Sequence, residues 1–301
     1  MARPAIAQGA GCEGFLTEAF FRSTPPARVL TCLMEGARVE ARDDDGNTAL
    51  HLAAAYAQDA AVTRVLLQVG ADVTLRNAAN RTPMHMAAAH SMDPAQIVTL
   101  AVWGAEVDKG TVDDDCWLVE CTTSPLHLAA RRPEAVEVVT ALLAAGADPN
   151  IHAGKDLADI SGELTEDRYL PPLHLATRHA GVETVATLLQ GGAKVDAPDN
   201  GRRKRTALHY AAARKDGGRK IVQALLDAGA SADAADFEEN TPLMLAASRS
   251  SDPNVFARLL DAADEPCSKN ATGITALMYH NENMALEQGD VYWGLHDRCR
   301  K

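Results

Sequence analysis

The stretch from Asn47 to His90, NTALHLAAAYAQDAAVTRVLLQVGADVTLRNAANRTPMHMAAAH, contains one short phrase twice. Thr48-Ala-Leu-His51 opens it, and Thr82-Pro-Met-His85 returns 34 residues later. Each part of the phrase has a physical reading. A Thr ahead of an Ala/Leu-rich run caps a helix start with its hydroxyl, and Pro fits the first helical position because the N–H it lacks is unpaired there anyway. The pair Ala53-Ala54 lets a neighbouring helix approach closely. Leu66-Leu67 then marks a second helix that turns this pair into the core, and Gly70 stops it in the left-handed conformation. A helix–turn–helix this short cannot bury its apolar face alone, so copies must stack.

Moving outward, the phrase recurs as Ser124-Pro-Leu-His127, Pro171-Pro-Leu-His174, Thr206-Ala-Leu-His209, Thr241-Pro-Leu-Met244 and Thr275-Ala-Leu-Met278. The starts lie 34, 42, 47, 35, 35 and 34 residues apart. Leu-Leu pairs follow at 142–143, 188–189, 225–226 and 259–260, and Gly-Ala pairs at 104–105, 146–147, 192–193 and 229–230. Residues 14–36 read as a degenerate first unit and 275–301 as a worn last one, as expected of caps with one face in water. Units therefore start near 14, 48, 82, 124, 171, 206, 241 and 275, behind a flexible lead-in over 1–13.

These residues and this spacing resemble ankyrin repeats over residues 14–301. The resemblance implies an all-α repeat fold: a single-domain solenoid of helix–turn–helix units joined by β-hairpin fingers, about eight units including two degenerate caps. It implies partner binding through finger tips and the concave inner helices, with no chemistry of the fold's own. It also implies that His51, His85, His127, His174 and His209 hydrogen-bond within the finger–helix junction and are neither bases nor metal ligands.

Finger length is where the units differ. From the residue ending one second helix to the next Thr-equivalent there are 12 residues in four fingers, but 20, 25 and 14 in three consecutive central ones. Insertions in a stacked repeat fall on one face, often the binding face. The first long finger (insertion near 109–122) carries Asp113, Asp114, Asp115, Trp117 and Leu118. The second (near 152–169) carries Asp156, Asp159, Glu163, Glu166, Asp167 and Tyr169, and the third Arg202, Arg203, Lys204 and Arg205. A second feature lies eight residues after each phrase start: Tyr56, His90, Arg132, His179, Arg214 and Arg249 form a stripe along the first helices. Cations near a helix C-terminus are also favoured by the dipole, by about 0.3–1 kcal/mol each.

The remaining motifs exclude more than they assign. Gly9 to Gly14 has the letters of a dinucleotide fingerprint without the strand that it needs. Asp43-Asp44-Asp45 has calcium-loop letters, but the first and twelfth ligand positions fall on Ala41 and Leu52. Cys116 and Cys121 lack the CxxC spacing and histidines of a zinc site. With 29 basic against 41 acidic residues the net charge is −12, which argues against nonspecific nucleic-acid or anionic-membrane binding. Met1 to Gly11 has one basic residue and no sustained apolar stretch, unlike a secretory signal. Six cysteines in 301 residues do not read as a disulfide framework, so a reduced, cytoplasmic monomer is the expectation.

The function that follows is a non-catalytic module holding one protein partner in its groove and elongated central fingers, without cofactor or metal. Two rivals are an inhibitor or immunity-type protein whose fingers plug an enzyme, and a microbial effector acting on a host protein. A metal-assisted enzyme centred on Asp113–Cys121 is a third class, which metal analysis of purified protein would separate.

Overall fold

The computed structural model describes residues 12–112, 122–151, 170–214, 218–283 and 290–299. The chain divides into two compact units, Met1–Ile151 and His152–Lys301. In the first, α1 (Glu18–Ser23), α3 (Ala49–Tyr56), α5 (Pro83–His90) and α7 (Pro125–Ala130) alternate with α2 (Pro26–Met34), α4 (Ala60–Gln68), α6 (Pro94–Val102) and α8 (Val136–Ala144). In the second, α9 (Pro172–His179), α11 (Ala207–Ala212), α13 (Pro242–Arg249) and α15 (Ala276–Glu282) alternate with α10 (Val182–Gln190), α12 (Arg219–Asp227), α14 (Pro253–Ala262) and α16 (Asp290–Cys299). Within each unit, first helices pack on first helices and second on second. This is the stacking that the phrase demanded.

The small-residue pairs do the work assigned to them. Ala53, Ala54, Ala129, Ala130, Ala211 and Ala212 are all fully buried between neighbouring first helices. Of each Leu pair, the first member is always fully buried (Leu66, Leu142, Leu188, Leu225, Leu259). The second is buried only at Leu67 and Leu260; Leu143, Leu189 and Leu226 are half-buried, because they sit toward the outer edge of the helix face. The expectation of a fully buried pair is corrected to that extent. Gly70, at φ +94°, gives its N–H to Leu67 O and positions the Ala71 N–H on Leu66 O at 3.0 Å, which closes α4.

Fingers of standard length are tight turns rather than ladders. Asp43 N donates to Asn47 O at 3.0 Å, and the Asp43 carboxylate accepts the N–H groups of Asp45 and Asn47. Among the described residues, paired strands occur only in the first long finger, where β1 (Thr111–Val112) runs antiparallel to β2 (Thr122–Thr123).

Two disulfides overturn the expectation of a fully reduced chain: Cys12 bonds Cys32, and Cys267 bonds Cys299. Cys12, assigned to a flexible lead-in, is buried and tied to α2. Cys12 precedes α1 and Cys32 lies in α2, while Cys267 precedes α15 and Cys299 ends α16, so each bridge closes a loop around one helix pair. Cys116 and Cys121 lie outside the described residues.

Candidate functional site

The tetrad histidines build the floor of the finger row. At Thr48, the hydroxyl and the N–H both meet His51 Nδ1, at 2.9 and 3.2 Å. An N–H donating to Nδ1 leaves the ring proton on Nε2, which lies 3.0 Å from the Arg81 carbonyl of the next finger. His51 thus completes a capping box and links its helix to the following finger. His85 repeats this with Thr82 and Thr123 O, and His209 with Thr206 and Asn240 O. Burial pushes His51, His85 and His174 down to about 4 and also lowers His209, against the opposing effect of the carbonyl bonds. Buried and neutral, with Nε2 on a finger carbonyl, these rings are structural.

His174 departs from the pattern. Its capping position is Pro171, which has neither hydroxyl nor N–H, so Nδ1 is buried without a hydrogen-bond partner among the described residues. Nε2 keeps its link to Arg205 O at 3.0 Å.

Above this floor, successive fingers are joined backbone to backbone. Ala78 N donates to Asp45 O at 2.9 Å, Phe237 N to Arg203 O at 2.7 Å and Ala271 N to Glu238 O at 3.0 Å. Side chains add a second line: Asn77 Nδ2 to Asn47 Oδ1, Arg205 Nε to Asp236 Oδ2 at 3.1 Å, and Asn270 Nδ2 to Asn240 Oδ1. The Arg205–Asp236 pair is nearly closed to water, with side chains 7% and 0% exposed. Burial works to raise the Asp236 carboxyl, but the Asn240 N–H, the Arg205 guanidinium and the Glu238 N–H together hold it below the ordinary carboxylate range.

Arg205 is therefore not a contact residue, because it is spent inside the finger. Arg202, Arg203 and Lys204 stand exposed at the tip of the same finger. Lys204 (φ +52°) and Glu239 (φ +59°) hold left-handed backbone at the turn position where Gly46 and Gly273 stand in other fingers. A side chain held there costs about 1 kcal/mol or more. Asp199, at the base of this longer finger, receives the Tyr210 hydroxyl at 2.6 Å; its Oδ1, which accepts backbone N–H groups in the shorter fingers, is buried with no partner among the described residues.

The first-helix stripe divides. Arg22 lies 5.1 Å over the Tyr56 ring, and the Tyr56 and His90 rings are 5.6 Å apart, so these form one stack. Arg132 instead donates from Nη1 to Ala88 O and Ser91 O, both at 2.9 Å, closing the end of α5. Arg214 does the same to Thr177 O and Arg178 O in the last turn of α9, and Asn283 to Ala247 O and Ser250 O at the end of α13. Two of the six stripe residues, Arg132 and Arg214, are thus capping devices between neighbouring helix pairs, and Asn283 does the same at the equivalent position. His179 is half-buried and Arg249 exposed. Asp113, Asp114, Asp115, Trp117 and Leu118, and also Asp156, Asp159, Glu163, Glu166, Asp167 and Tyr169, lie outside the described residues.

A family model for ankyrin repeats, in three copies, matches residues 25–111 and 126–236. The chain belongs to the ankyrin-repeat family. Among solved structures it is similar to the human ASB11 ankyrin repeat domain, at 24% identity and a TM-score of 0.64, over 83% of this chain and 98% of that one. That likeness concerns the fold. No curated protein matches the sequence. Ankyrin repeats are protein–protein interaction modules as a class, and the family is typically non-catalytic. No helix among the described residues is long and apolar enough to cross a membrane.

Within these ankyrin repeats, sequence reasoning passed over Phe237. It is 70% exposed, on the finger whose backbone is bonded to Arg203. It sits inside a finger of ordinary length, where spacing gives no signal; an aromatic at a turn position was the available clue.

Proposed function

We propose that this ankyrin-repeat chain binds one protein partner through its fingers and first helices, with the long central fingers selecting it. What supports this reading above all is the tying of described fingers to their neighbours: backbone bonds from Ala78 to Asp45, Phe237 to Arg203 and Ala271 to Glu238 hold those turns in place before any partner arrives. A preorganised surface loses less conformational entropy on binding. It presents Arg202, Arg203 and Lys204 beside Phe237, and aromatic and arginine side chains are the usual anchors of interfaces. The left-handed Lys204 and Glu239 point the same way, since strain of this kind persists where a displayed side chain is used.

Affinity purification from native cells, with the full chain and with a chain whose three long fingers are trimmed to the 12-residue spacing, tests this. The partner should be retained by the full chain and lost by the trimmed chain at an unchanged urea midpoint. A partner kept by the trimmed chain would move the site away from the fingers.

A further inference from the structure

Six of the large exposed apolar side chains gather on three consecutive second helices of the first unit: Leu30 and Met34 of α2, Val69 after α4, Val98 and Val102 of α6, and Trp103 after it. Met34 is 81% and Val102 78% exposed. Because α2 packs on α4 and α4 on α6, the six form one strip across the helices. The feature is local to these repeats. The corresponding positions hold Thr140, Ala144 and Ala145 in and after α8, and Gln223, Asp227 and Ala228 in and after α12.

Arg64 occupies the middle of the strip, at the α4 position that matches Leu30 and Val98. It is exposed and makes no ion pair among the described residues. We infer that this strip docks a single amphipathic helix of a protein partner, laid across α2, α4 and α6, whose central Asp or Glu pairs with Arg64. The dimensions agree. Packed helices are about 8–10 Å apart, close to the roughly 10.5 Å rise of seven helical residues. Three helices therefore match about four turns, with apolar anchors over α2 and α6 and the acidic residue between them. An apolar face set into such a surface is a standard mode of helix recognition.

The other occupants fit less well. A second copy using the same face would bring one Arg64 toward the other, and like charges at an interface are penalised. An anionic membrane would call for a rim of several cations, whereas this strip has one and the chain carries −12.

The test places a benzoylphenylalanine photo-crosslinker at Val102 of the full chain, and at Gln223 as control, in extracts of its native cells. The expected result is an adduct at 102 alone, mapping to an amphipathic helix with a central acidic residue. Arg64→Glu should cut its yield at least tenfold, and Lys at the partner's acidic residue should restore it. The adduct should survive trimming of the fingers, so loss of the finger reading and loss of this one are separate outcomes. An adduct to a second copy, to this chain's own segments or to lipid, no adduct at all, or indifference to Arg64→Glu with an unchanged urea midpoint would each overturn the proposal.

Discussion

The pairing of His with Thr or Ser at the starts of α3, α5, α7 and α11 is a single-residue device, and its failure at α9, where the His is kept and the Thr is lost, is informative. Pro171 leaves His174 Nδ1 buried and unserved among the described residues. Its backbone, φ −56° and ψ 158°, lies close to that of Thr206 at −82° and 166°. Pro171→Thr would supply both the hydroxyl and the N–H, and should raise stability by about 1 kcal/mol or more, read as a higher urea midpoint. An unchanged or lower midpoint would mean that Nδ1 is already satisfied. The same rings make the fold acid-sensitive. His51, His85 and His174 titrate near 4 when folded and near the ordinary 6.5 when unfolded. Below pH 6.5 the unfolded chain takes up protons that the folded one refuses, so stability present above 6.5 is lost as pH falls toward 4. Three such groups give a slope approaching about 4 kcal/mol per pH unit near pH 5. Urea titrations at stepped pH check this, and a flat profile would show the rings charged in the folded state.

At the scale of the element, helix pairs were legible because Thr/Ser caps, Ala pairs, Leu pairs and Gly stops each act within a few residues. What lay beyond that range was not. Arg132 and Arg214 read as a cationic stripe from spacing alone, yet both cap the helix of a neighbouring pair, a contact that exists only after stacking. Arg205 read as one of four equal tip cations, but its partner Asp236 comes from the next finger. The Leu pairs show the same limit: spacing marks both members, and only packing separates them. Leu188→Ala should therefore cost about 2–5 kcal/mol, while Leu189→Ala, half-buried, should cost roughly half as much or less. Equal losses in urea unfolding would contradict the register of α10.

For the whole molecule, the cysteines were the least legible feature. Cys12 and Cys32 are 20 residues apart and Cys267 and Cys299 are 32 apart, in no recognisable motif; each pair meets only because a terminal helix pair folds back on itself. Loops of this size confer about 3–4 kcal/mol each in the chain-entropy view. Reductant should then lower the unfolding temperature, and Cys32→Ala or Cys299→Ala should each reproduce part of the loss; equal stability with and without reductant would mean that the bridges do not hold the terminal pairs. The bridges have a further, mechanical meaning. Stretched from its two ends, an oxidised chain carries the load through the sulfur atoms and shields the enclosed segments from it. Reduction should release about 180 Å of additional contour length in a pulling experiment, and should turn both terminal pairs from the most protected parts of the tether into the first to peel away.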